Sequence, residues 1–146
     1  IRVFINKTDV DPPGPFALQS PADGTLNLPI PEKIGWPGLG QPTLDWASAP
    51  GFTVTYHLTI ATDPGLTNVV IDAPGLTTSE YAIPNGALSE STVYYWGVTA
   101  STQVGDTTST PAVWSFATHC PFDLDGNGFV GFTDLVELLA AWGTCP

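Results

Sequence analysis

Between residues 53 and 62 the side chains alternate with a period of two: Val54, Tyr56, Leu58 and Ile60 fall on one face, and Thr55, His57, Thr59 and Ala61 on the other. A strand with one apolar face needs a second layer to cover it, so this pattern already requires a sheet packed on something else. The period returns at 92–101, where Tyr94, Trp96, Val98 and Ala100 point inward, and at 112–118 with Trp114 and Phe116. Shorter runs fit the same scheme at Phe16–Gln19, Thr43–Ser48 (Leu44 and Trp46 on one face), Asn68–Asp72 and Glu80–Ile83. Turn signals separate them, the first being Pro21-Ala22-Asp23-Gly24. About seven strands in roughly 100 residues, punctuated this way, predict a mainly β sandwich of two sheets.

Composition agrees. Fifteen Gly and fifteen Pro in 146 residues suit many short strands joined by turns, and a 42% hydrophobic fraction supplies a core. Three basic residues (Arg2, Lys7, Lys33) face fourteen acidic ones, a net charge of −11. That balance argues against nucleic acid or an anionic membrane as partner and favours cations. No apolar run approaches the roughly 20 residues that would span a bilayer. The chain starts at Ile1 and contains no Met, from which an exported mature form or an excised segment is expected.

The motifs carry a resemblance. Ser20-Pro21-Ala22-Asp23-Gly24, Pro42-Thr43-Leu44-Asp45-Trp46, Ile60-Ala61-Thr62-Asp63-Pro64, Tyr94-Tyr95-Trp96-Gly97-Val98-Thr99-Ala100 and Trp114-Ser115-Phe116-Ala117-Thr118 together resemble a bacterial fibronectin type III domain. The resemblance implies an immunoglobulin-like two-sheet sandwich and a corner role for Tyr94, its hydroxyl bonding back to the backbone across the sandwich. The Gly/Pro segment around 29–41 departs from the pattern and is expected to be a surface loop.

Residues 119–146 change character. Asp123, Asp125 and Asn127 occupy positions one, three and five of a twelve-residue loop, with Gly128 at six for a sharp turn and the Phe129 carbonyl at seven. Gly131 at nine has no side-chain oxygen, leaving that position to water, and Asp134 closes the loop at twelve. Hard Ca²⁺ takes six to eight oxygens, and alternate loop positions bring theirs to a common centre. The stretch Asp123–Leu135 resembles one dockerin-type calcium repeat, in which Asp at position twelve is usual. Dockerins carry two repeats and this chain one, so the resemblance implies calcium and stops short of the cohesin partner. A helix should follow, with Leu135, Leu138, Leu139 and Trp142 on one apolar face and Gly143 as terminator. So small a half-module should pack on the sandwich, on itself or on another chain.

Cys120 and Cys145, the only cysteines, bracket this module. A disulfide between them would close a loop of about 25 residues and stabilise by roughly 3 kcal/mol. It would also place the protein in an oxidising compartment, outside the cell or at its surface. No catalytic constellation emerges: His57 has no assignable nucleophile, and carboxylate pairs suited to glycoside hydrolysis are not distinguishable from surface acids. Trp36 could stack on a carbohydrate or cover its own sandwich. Asn6-Lys7-Thr8 is an acceptor sequon by pattern.

Three units are therefore expected: an N-terminal strand and Pro-rich linker over 1–15, a sandwich over 16–118, and the calcium loop and helix over 119–146. In the arm, Ile1, Val3 and Ile5 share one face, and Pro12, Pro13 and Pro15 set it apart. Such a strand suits addition to the sheet edge of another copy of the chain or of another cell-surface protein, giving a non-catalytic extracellular filament or matrix. The alternative is a C-terminal spacer or anchoring module of a secreted glycoside hydrolase or adhesin.

Overall fold

The computed structural model describes residues 11–30 and 41–143. Among these residues nine strands and one helix follow in order: β1 (Leu18–Ser20), β2 (Thr25–Leu28), β3 (Thr43–Trp46), β4 (Thr55–Ala61), β5 (Val69–Leu76), β6 (Glu80–Ala82), β7 (Val93–Ser101), β8 (Asp106–Thr108), β9 (Trp114–Thr118) and α1 (Phe132–Ala140). They form the expected mainly β, two-layered arrangement. One sheet has the order β1-β3-β6; the other has six strands, β2-β9-β7-β4-β5, with β8 also paired to β7.

The period-two faces become the core. Leu58, Ile60 and Trp96 are fully buried from β4 and β7, and Leu44 and Trp46 from β3 oppose them. β4 and β7 run antiparallel in continuous register from Thr55↔Ser101 to Ala61↔Tyr95, so the two best alternating runs lie side by side. Trp114 is only half-buried and packs edge-on against Trp96 at 6.2 Å. It belongs to the margin of the core and not to its centre.

Two tyrosine hydroxyls tie down loops. Tyr94 accepts the Ser89 backbone N–H at 2.9 Å, a bond to its own connection five residues upstream. Tyr56 does the same for the Ala49 N–H, also at 2.9 Å. The first turn is where the sequence placed it. There the Asp23 carboxylate accepts the Ser115 N–H at 2.7 Å and its hydroxyl at 3.0 Å, tying the turn to β9.

Several expectations need correction. β2 and β8 were not legible as strands, and β5 runs on through Pro74 and Gly75 to Leu76. The proline segment is not a free spacer: Pro13 is buried, its carbonyl accepts the Thr107 hydroxyl at 2.6 Å, and Gly14 donates to the Pro50 carbonyl at 2.6 Å. The calls on Ile1, Val3 and Ile5, on the sequon and on Trp36 lie outside the described residues.

Candidate metal centre

The loop leaves β9 at Thr118 and is shaped by its own carboxylates. Asp123 accepts the Asn127 N–H on Oδ1 at 3.1 Å and the Gly128 N–H on Oδ2 at 2.8 Å, which curls the chain around it. Gly128 has φ +92°, a left-handed conformation that side chains resist, and a Cβ there would stand 3.1 Å from the Leu26 side chain. Asp134, at the far end, accepts Leu124 N–H (2.7 Å) and Asp125 N–H (3.2 Å) on Oδ1, and Gly131 N–H (2.6 Å) on Oδ2. It thus closes the loop and satisfies the N-cap donor of α1 with one carboxylate.

These bonds bring Asp123, Asp125 and Asp134 together, with one carboxylate oxygen of each within 4.8 Å of the others. Asp123 and Asp134 are buried and Asp125 is exposed. Burial opposes ionisation of Asp123, but the Gly128 N–H, the Asn27 amide and further hydrogen bonds outweigh it and hold the carboxyl below its usual range. At Asp134 the Gly131 N–H leads, and against burial the carboxyl is again held low. Three carboxylates at this spacing repel one another, and no Lys or Arg occurs among the described residues to compensate them. Hard oxygen donors, anionic and converging, fit a divalent cation of the Ca²⁺ type.

The chain matches no protein-family model, and no curated protein matches it.

The other expected ligands are placed as follows. Asn127 turns its amide nitrogen to Asp125 (2.7 Å), while its oxygen accepts the Phe129 N–H (2.9 Å). Phe129 holds the seventh position and is 79% exposed. Cys120 has no disulfide partner among the described residues, and its thiol is pulled below its usual pKa first by a hydrogen bond from the Ser91 side chain. Its expected partner Cys145 lies outside the described residues.

One contributor was invisible in the sequence pattern. Asn27, on β2, donates its amide to Gly126 O at 3.1 Å and to Asp123 Oδ2 at 3.4 Å, across 99 and 96 residues. Its only local signal is an Asn interrupting Thr-Leu-Asn-Leu, where it takes φ 56°.

The helix face is the second departure. Leu135, Leu138 and Leu139 are about half exposed and Trp142 is 77% exposed, so this face does not pack on the sandwich. The helix ends at Ala140 with Ala141 as its cap, two residues before Gly143.

Proposed function

We propose that this chain is a non-catalytic structural protein of the cell exterior, a sandwich subunit carrying one calcium site. The observation that carries the calcium reading is the convergence of Asp123, Asp125 and Asp134 within 4.8 Å. Asn127 and the Phe129 carbonyl complete the proposed ligand set, with Ca²⁺ as the cofactor. A disulfide between Cys120 and Cys145 would close the module in an oxidising environment. Calorimetric titration of the calcium-stripped chain should give one site per chain, in the micromolar to millimolar range of sensor and extracellular sites. A flat titration overturns the reading.

Assembly by strand addition is part of the same proposal, and an edge left unpaired among the described residues supports it. β5 ends the six-stranded sheet, is eight residues long and exposes Val69 and Val70. The edges at β1, β6 and β2 offer only three or four residues each. Pro74 cannot donate a hydrogen bond, so the stretch 69–73 is the usable template. Residues 1–10 of a second copy would reach about 33 Å when extended. The pairing is heterologous and propagates into a filament unless it closes. Removing residues 1–10, or introducing Val69→Lys with Val70→Lys, should leave a folded monomer by light scattering. Assembly that survives both changes rejects this mode.

The exposed helix favours a second reading, in which the C-terminal module anchors the sandwich to another protein, such as the remainder of a secreted glycoside hydrolase or adhesin. Ten large apolar side chains from Phe122 to Trp142 are exposed, more than a self-contained module would leave open.

A further inference from the structure

We infer that Asn27 is a latch that positions the calcium loop and makes calcium occupancy felt by the sandwich; the inference rests on the calcium reading above. β2 runs parallel to β9, with Thr25 opposite Phe116 and Leu28 opposite Thr118. Three steps along β2 match two along β9, so one residue is extra. Asn27 lies within that irregularity at φ 56°, a conformation Asn tolerates better than most side chains. The ladder then continues past the strand, His119 donating to the Leu28 carbonyl at 2.9 Å. β2 therefore flanks the point where the chain leaves the sandwich for the loop.

The bulge directs the Asn27 side chain at the loop. Its amide nitrogen reaches the carbonyl of Gly126 and the same Asp123 oxygen that accepts the Gly128 N–H. The first position of the loop and the fourth are thus held by one group from another element. The side chain of Leu26, the preceding residue, lies where a Cβ on Gly128 would touch it, so Leu26 packs directly on the loop backbone. The place calls for a donor. Aspartate would present a further negative charge to Asp123 and nothing to the Gly126 carbonyl. Outer-shell partners of metal ligands fix the orientation of those ligands, and their loss typically weakens binding by about 10–100-fold.

Energy flows both ways through such a contact. A cation that fixes Asp123 favours the loop geometry that Asn27 also binds, and so favours the ordered β2–β9 edge. Calcium should slow hydrogen exchange at the β2 amides, while the centre of the sandwich in β4 and β7 stays as it was.

The test is Asn27→Gly, which keeps the left-handed backbone and removes the amide. Calorimetry and amide exchange with and without calcium are measured on the variant and on the wild type. The expected result is a roughly tenfold weaker isotherm, β2 exchange that no longer responds to calcium, and unchanged exchange in β4 and β7. The wild type alone supplies an independent check should the variant fold poorly: calcium must slow β2 and leave β5 unchanged. A flat wild-type titration overturns the calcium reading and the latch with it. A wild-type isotherm that Asn27→Gly reproduces within twofold, or wild-type β2 amides indifferent to bound calcium, overturns the latch alone.

Discussion

Trp96→Ala is expected to destabilise the sandwich by about 3–5 kcal/mol, enough to unfold a large share of a domain of ordinary stability. Trp96 is fully buried at the middle of β7, with Ile60 of β4 on one side and Trp114 of β9 on the other. Its ring meets Trp114 edge-on, at an interplanar angle of 80°. Truncation therefore removes contacts to both neighbouring strands and leaves a cavity that the strand ladders prevent from collapsing. Trp96→Phe is the informative companion. The indole N–H of Trp96 has no hydrogen-bond partner, so phenylalanine removes a buried unsatisfied donor while keeping most of the aromatic volume. Its loss should stay below about 2 kcal/mol. Both are read from denaturant midpoints at constant slope. An alanine variant within about 1 kcal/mol of wild type would show that the core is not organised around β7.

That core was legible because its signal is local. In β4 and β7 the side-chain period of two can be counted residue by residue, and both strands keep it in the folded chain except at Ala61, expected on the outward face, and Gly97, which are buried. β2 gave no such signal. Its four residues show no inward-outward alternation, since it is an edge strand whose hydrogen-bonding partner lies some 90 residues downstream. The short β8 depends likewise on its pairing with β7. The calcium loop repeats the lesson at the scale of a site. Asp123, Asp125 and Asp134 are near in sequence, so their spacing alone predicted their convergence. Asn27 meets them only because β2 and β9 pair, and no spacing rule reaches across 96 residues. The helix failed in the opposite sense: its apolar stripe is real, but periodicity cannot say whether a face finds a partner within the same chain.

Asp134→Ala is expected to abolish measurable calcium binding and to loosen α1 at the same time. One carboxylate performs three tasks. It closes the loop on the Leu124 and Asp125 N–H groups, it satisfies the Gly131 N–H at the helix start, and it contributes one of the three converging oxygens. Alanine removes all three. The loss in affinity should exceed the 10–100-fold typical of an outer-shell change, and helical ellipticity should fall in the calcium-free protein. Asp134→Asn is not silent either. Both oxygens of Asp134 accept N–H groups, whereas an amide has one acceptor and would turn its NH₂ toward a backbone donor. The direction of the pKa shift adds a pH signature. The folded-state value lies below the unfolded one, so the stabilisation from ionised Asp134 is complete above the ordinary carboxylate pKa of about 3.9 and is lost as pH falls through the lowered value. Acid titration of the calcium-free helix signal should therefore show a transition below that ordinary pKa in the wild type and none in Asp134→Ala. A wild-type isotherm in the alanine variant would remove Asp134 from the ligand set and end the twelve-position assignment.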